Sequence, residues 1–342
     1  MFPLFELVKV LSETAGPPGL EERVAKIING ELAVLNGETS SDSFGNVIFR
    51  VPAKRKNNRK IMFTAHMDEI AFMVEHIEPN GLLKFVNLGM IDDSLLRSSH
   101  YVTVLGKKDI PGIIPSVPPH FKSKMQNEEP FIDTGLRSYE EVVEAGISVG
   151  TPVVFQSSFR EWQNKKYISG KALDDRVGCA VLIEMLKRLL GNSRVSSDIY
   201  VVFTTQEEVG LRGAMVAVGN IKPDIAITVD MVPAFPSQKS RIDISKGPVL
   251  RLLEQEGWFG LIAFKKVLNL LENAANKSNV SLQHLVRPFG MTDASTIHLT
   301  CQGIPSCSIE IPCRYEHSPA ELVFWEDILK MVDVLTKVCE IV

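Results

Sequence analysis

Five short motifs in this chain combine acids and imidazoles of the kind that bind divalent cations and activate water. His66-Met-Asp-Glu69 closes the apolar run IMFTA, and Asp174-Asp175-Arg176 stands just before a long helical pattern. Glu207-Glu208 follows VVFTT, Asp230 ends IAITVD, and His317 lies in RYEHSP after CSIEIPC. In an extended chain alternate side chains share a face, so His66 and Asp68 point the same way. A carboxylate behind a metal-bound imidazole fixes the ring and raises its basicity. Two adjacent glutamates repel each other unless a cation is near, and a metal lets one ligate while its neighbour acts as base. Each motif also has a plainer reading. Aspartates cap helix N-termini, paired glutamates decorate surfaces, a strand-end acid begins many loops, and a lone loop histidine is usually structural. Residue type and spacing do not separate Asp174 from Asp175, or Glu207 from Glu208.

The elements that must position these groups alternate between strand and helix. Helical apolar spacing covers 4–12 and 20–35, and 60–70 opens as a short buried strand. A helix runs through ALDDRVGCAVLIEMLKRLL, followed by strands at 198–205 and 224–230. Next come a helix around 260–278, a strand near 307–311 and a last helix at 320–340. Strands separated by helices predict an α/β fold, a mainly parallel mixed sheet covered by helices on both faces. In such sheets ligands gather at the carboxyl ends of the strands, where the five motifs fall. Between about 71 and 164 the pattern changes to short β-like runs (LLKFVNL, YVTVLG, TPVVFQS) broken by Pro and Gly, with one helical piece, SYEEVVEAG. This predicts a discontinuous α/β domain (1–70 and 165–342) carrying an inserted small β-rich barrel or sandwich (71–164).

Composition excludes several classes. A chain of 342 residues has room for about two domains and a large core. The net charge of −4, from 37 basic and 41 acidic residues, gives no basic footprint for nucleic acid. The stretch KRKNNRK at 54–60 reads as a solvated turn. No apolar run reaches the length of a membrane span, and the N-terminal residues lack the pattern of a secretory signal. Five cysteines, odd in number and without CxxC spacing, suggest reduced core thiols and a cytoplasmic protein. The sequons at Asn276 and Asn279 then carry no meaning.

The blocks HMDEIAFMV, KALDDRVGCAVLIEML, TTQEEVGLRGA, ITVDM, GMTDASTIH and RYEHSPAEL resemble those of the M42 metallo-aminopeptidases, the glutamyl aminopeptidase and tetrahedral-peptidase group. The resemblance extends from GPPGLEERV to HSPAEL, nearly the whole chain. It implies two divalent ions per subunit, with His66, Asp174, Glu208, Asp230 and His317 as ligands. Asp174 would bridge the ions, His66 and Asp230 would complete one site, and Glu208 and His317 the other. Glu207 would be the general base and Asp68 the acid behind His66. Oxygen and imidazole ligands without thiolates suit zinc, cobalt or manganese, and the family implies zinc or cobalt first. It also implies short peptide substrates cut at the N-terminus, dimers formed through the insertion, and a hollow tetrahedral dodecamer. Ala71 and Met291 stand where the family often has glycine; neither change removes a ligand.

Other signals are set aside. Gly146-Ile-Ser-Val-Gly150 fits GxSxG, but a nucleophile elbow needs a strand before its serine and a helix after, the reverse of the order here. His76, His100, His284 and His298 lack partner motifs and read as structural, as does His120, although the family often has a similar PPH turn. A pocket formed by loops around 231–260 and 287–296 would choose the substrate side chain, with Asp243, Lys246 and Arg251 as charged candidates. Two alternatives are an endoglucanase-type glycoside hydrolase, which gives His66 and His317 no purpose, and a non-catalytic metal-binding scaffold, which would require a lost ligand or base.

Overall fold

The apolar runs that end in the acidic motifs form the centre of a twelve-stranded mixed sheet. In the computed structural model, which describes residues 1–53, 59–118, 120, 129–192, 195–236, 241–287 and 289–342, four strands lie side by side and parallel. In spatial order they are Asp198–Thr204, Lys60–His66, Ile225–Pro233 and Ser306–Arg314. The sheet is mixed, as expected, with its parallel strands at the centre. Its only other parallel pairing among the described residues joins Val249–Glu256 to Gln283–Val286, and the outer ladders are antiparallel. Parallel neighbours need long crossovers, which the helices supply at the centre, whereas nearby strands at the edges can turn back directly.

Side-chain alternation places a helical layer on each face. Ile61, Phe63, Ala65, Val201 and Phe203 pack into one core with Leu4–Glu13, Glu22–Leu32, Leu173–Asn192, Lys265–Lys277 and Trp325–Ile341. Met62, Val202 and Ala226 point the other way, onto Arg212–Ile221 and the short helix Ala294–Ile297. Two expected helices begin later than the apolar spacing suggests. Phe259–Ile262 is a strand because it pairs across a turn with Val249–Glu256, and Glu321–Phe324 is a strand because it pairs with Tyr167–Gly170. Of the basic stretch 54–60, residues 54–58 lie outside the described residues, and Lys60 belongs to the central strand rather than to a turn.

Beyond His66 the chain leaves the main sheet and forms a second, five-stranded antiparallel one. Its order is Leu83–Leu88, Ala71–Ile77, Pro152–Phe155, His100–Leu105 and Asp109–Ile114. Its core is separate from that of the main sheet and includes Phe72, Val74, Val102, Val104, Val153 and Phe155. Ile132 and Asp133 bridge to its two outer strands through Leu83 and Ile113. Ser148 lies between helix Tyr139–Glu144 and strand Pro152–Phe155, with its N–H donating to Thr151. Among the described residues no helix is long and apolar enough to cross a membrane.

Candidate metal centre

The four parallel strands point their carboxyl ends at one edge of the sheet, and each delivers a polar group there. His66 ends its strand in register with Thr204, so Glu207 and Glu208 follow just beyond the neighbouring strand. Asp230 lies opposite Glu310 near the end of its strand, and His317 follows Arg314 by three residues. The fifth group comes from the start of Leu173–Asn192. Here Asp174 and Asp175 leave helical geometry, with φ/ψ of −77°/109° and −115°/40°, and the peptide bond between them is cis.

These two aspartates point in different directions. Asp175 is fully buried, and its carboxylate accepts the N–H of His66 at 3.3 Å and of Gly178 at 3.0 Å, tying the central strand to the first helical turn. Asp174 faces the site. Its Oδ1 lies 3.0 Å from His66 Nε2 and its Oδ2 3.4 Å from His317 Nε2. Asp174 therefore belongs to two donor groups, His66–Asp174–Asp230 and Asp174–Glu208–His317, each compact enough to hold one metal ion.

Both imidazoles present Nε2 to Asp174 and have an acceptor behind them. His317 Nδ1 lies 2.9 Å from the Met90 carbonyl, while the buried Nδ1 of His66 faces Asp68 at 3.6 Å and, among the described residues, makes no hydrogen bond. That arrangement fits imidazoles acting as ligands, because the rear nitrogen sets the ring and leaves the front one free for a cation. The carboxylate-rich donor set fits hard or borderline divalent ions without thiolates. Two further carboxylates gather the backbone. Asp68 accepts the N–H groups of Glu207 and Glu208, both at 3.0 Å. Glu321 accepts those of Asp174 and His317, both at 3.1 Å.

Electrostatics reflects this crowding of acids. Burial alone would depress the His66 imidazolium, but Glu207, Asp174 and Asp68 outweigh it and hold its pKa well above the ordinary histidine range. His317 is raised in the same way, with Glu208 and Asp174 overcoming burial. Burial opposes ionisation of Asp174, yet His317 and His66 keep its carboxyl below the usual carboxylate range. Burial pushes Glu207 and Asp230 well upward, Asp293 adding to the effect on Glu207 and Asp174 to that on Asp230. It also raises Glu208 to about 7, against the pull of His317.

The cluster opens into a cavity of about 460 Å³ that is also lined by Met90, Leu211, Met231, Arg251, Arg287 and Phe289. Of the charged candidates for substrate selection only Arg251 reaches this cavity. Asp243 pairs instead with Arg314 at 3.2 Å, and Lys246 is not part of the lining. The remaining histidines lie elsewhere. His100 bonds the Leu95 carbonyl, His284 pairs with Glu272, His298 bonds the Ala294 carbonyl, and His76 and His120 are exposed. Sequence reading missed Glu321 and the buried network of Arg251, Glu254 and Glu310. Only the burial of polar residues in otherwise apolar strands hinted at the latter.

A model of the M42 glutamyl aminopeptidase family matches residues 45–334. The chain belongs to this family. It is thereby one of a group of metal-dependent peptide hydrolases, and the acidic–imidazole cluster is its candidate metal centre. A candidate aminopeptidase of Acetivibrio thermocellus is 34% identical over 98% of this chain and 98% of that protein. Among solved structures, an aminopeptidase from the archaeon Desulfurococcus kamchatkensis superposes with a TM-score of 0.92 at 33% identity, covering 99% of this chain and 95% of that one. The TET1 peptidase of Pyrococcus horikoshii, described as assembling into a tetrahedron or a large octahedral shell, has a TM-score of 0.87 at 29% identity, with 98% and 99% coverage. This M42 chain therefore shares its fold with those aminopeptidases along nearly its whole length.

Proposed function

We propose that this M42 chain is a dinuclear aminopeptidase that removes the N-terminal residue of short peptides. The observation that carries the reading is the two-sided placement of Asp174, one oxygen toward His66 and the other toward His317. His66 and Asp230 would hold one divalent ion and Glu208 and His317 the other, with Asp174 shared; zinc and cobalt suit the set best, and manganese is also accommodated. When bound, such a pair polarises the scissile carbonyl and makes water acidic at neutral pH.

The chain's own residues do the rest. Glu207 lines the cavity but belongs to neither donor group, which leaves its carboxylate available to accept a proton from the attacking water. It then returns that proton to the leaving amine. Asp68 fixes the backbone of Glu207 and Glu208 while standing behind His66, so one carboxylate sets the base, a ligand and a ring together. The test is a panel of aminoacyl p-nitroanilides assayed with zinc, cobalt or manganese. Hydrolysis with at least one ion is expected, and none with any ion would refute the reading.

Glu321 would act as a brace for both half-sites through the N–H groups of Asp174 and His317. An amide offers one acceptor where the carboxylate offers two. Glu321→Gln is therefore expected to weaken ion binding by about 10–100-fold, measured by competition with a chelating dye. Unaltered affinity would leave Glu321 with a role in the fold alone.

We further assign residues 71–164 to a separate dimerisation domain and the whole chain to a tetrahedral dodecamer. Supporting this are the separate core of the second sheet and its exposed Val86, Tyr101 and Ile113, together with exposed Met90 just beyond the strand Leu83–Leu88. A cytoplasmic setting agrees with five free cysteines. Sedimentation as a monomer at working concentration would count against the assembly.

A further inference from the structure

Among the described residues outside the acidic–imidazole cluster, four charged ones line the cavity: Arg251, Arg287, Glu256 and Glu316. Arg251 is engaged through both terminal nitrogens. Its Nη1 lies 3.3 Å from Glu310, and its Nη2 donates to the carbonyls of Phe289 at 2.5 Å and Gly290 at 2.7 Å. These bonds, with Glu254 accepting from Thr292 and Ser295, fix the cavity wall at 289–292.

Arg287 is different. Its guanidinium stacks 4.0 Å over the ring of Phe289 and makes one long hydrogen bond, 3.3 Å from Nη1 to the Pro233 carbonyl. Among the described residues no carboxylate oxygen lies within 4.0 Å of it; Glu316 acts on it through space without forming an ion pair. Burial works against its charge, yet a guanidinium stays ionised in proteins. A half-buried cation that keeps free donors facing a reaction cavity is poorly compensated until an anion arrives. Its planar fork matches a carboxylate, and Phe289, Met231 and Met291 provide an apolar bed for the carbons that carry one.

We propose that Arg287 is the recognition group of a carboxylate subsite, so that preferred peptides place a carboxylate in this cavity beside the metal centre. The inference rests on the aminopeptidase reading. Two parts of a short peptide supply this chemistry: the side chain of an N-terminal Asp or Glu, and the C-terminal carboxylate.

Two substrate pairs, assayed with the metal-loaded enzyme, distinguish these sources. Glu- and Gln-p-nitroanilide differ only in having a side-chain carboxylate or its neutral amide, and Leu-Gly-Gly and its C-terminal amide differ only at the far end. In one pair the carboxylate-bearing member is expected to be favoured by roughly 10–100-fold in kcat/KM, the scale of a charged hydrogen bond. Arg287→Met should erase that ratio, and Arg287→Glu should shift preference toward Lys-p-nitroanilide. The charge reversal gives a readout that loss of local structure would not. Equal rates within both pairs for the wild type would overturn the subsite, as would a preference that survives Arg287→Met. Cleavage of Gln-p-nitroanilide or Leu-Gly-Gly amide without any carboxylate preference sinks the subsite alone, whereas cleavage of none of these substrates refutes the aminopeptidase reading as well.

Discussion

Glu207→Gln is expected to lower kcat by roughly 10²–10⁴-fold, the usual contribution of a positioned general base, while the protein still binds two ions per chain. The two halves of this expectation have separate structural causes. The amide keeps the size of the side chain and leaves the Glu207 N–H bonded to Asp68, so the backbone of Glu208 stays in place. Glu207 is outside both donor groups, so the ion affinities should change little. What the amide loses is the ability to take a proton. Burial and the nearby Asp293, Glu208 and Asp68 raise the Glu207 carboxyl, with His66 opposing them. A raised pKa strengthens a base as long as the working pH keeps it ionised. Metal analysis beside steady-state kinetics separates the two effects. Full turnover in this variant would remove Glu207 from the base role, and loss of an ion would make it a ligand instead.

The parts of this site that could be read from sequence are those fixed by a strand end. His66, Glu207, Glu208, Asp230 and His317 each follow an apolar run, and buried parallel strands must leave their polar residues at the termini. The choice within Asp174-Asp175 could not be read. Either carboxylate can cap a helix, and the outcome depends on His66 N–H, a partner more than a hundred residues earlier in the chain. Glu321 was hidden for a related reason. Its apolar context fits the start of the last helix, but pairing of Glu321–Phe324 with Tyr167–Gly170 makes the segment a strand and brings Glu321 opposite Gly170. Local spacing thus located the polar groups that the fold gathers at the sheet edge, whereas the residues that hold them depend on long-range pairing. The same distinction applies to the substrate pocket. Arg251 stood out as a charge in a loop region, yet Glu310, opposite Val249 across the sheet, engages it, and the less conspicuous Arg287 has no ion pair among the described residues.

Removal of bound ions by a chelator is expected to abolish peptidase activity, and added zinc, cobalt or manganese to restore it. The cluster itself explains why the loss should be complete and reversible. Asp174, Glu208 and Asp230 converge with two imidazoles in a largely buried site, so without a cation the acids must hold protons or repel one another. Binding has to displace those protons. A carboxyl raised to about 7, as Glu208 is, stays protonated below that pH and ionises above it. Ion affinity should therefore weaken as pH falls through 7 and strengthen above it, with protons released on binding. Chelation should be easiest at mildly acid pH and reconstitution most complete at mildly alkaline pH; calorimetric titration in buffers of different ionisation enthalpy would count the protons. A glycosidase built on two carboxylates would need neither the ions nor His66 and His317. Hydrolysis that survives in demonstrably metal-free protein would thus contradict the dinuclear mechanism, and cleavage of a β-glucan by that same protein would favour the carbohydrate reading. Loss and recovery with the expected pH dependence would tie activity to the edge of the sheet where Asp174 faces both histidines.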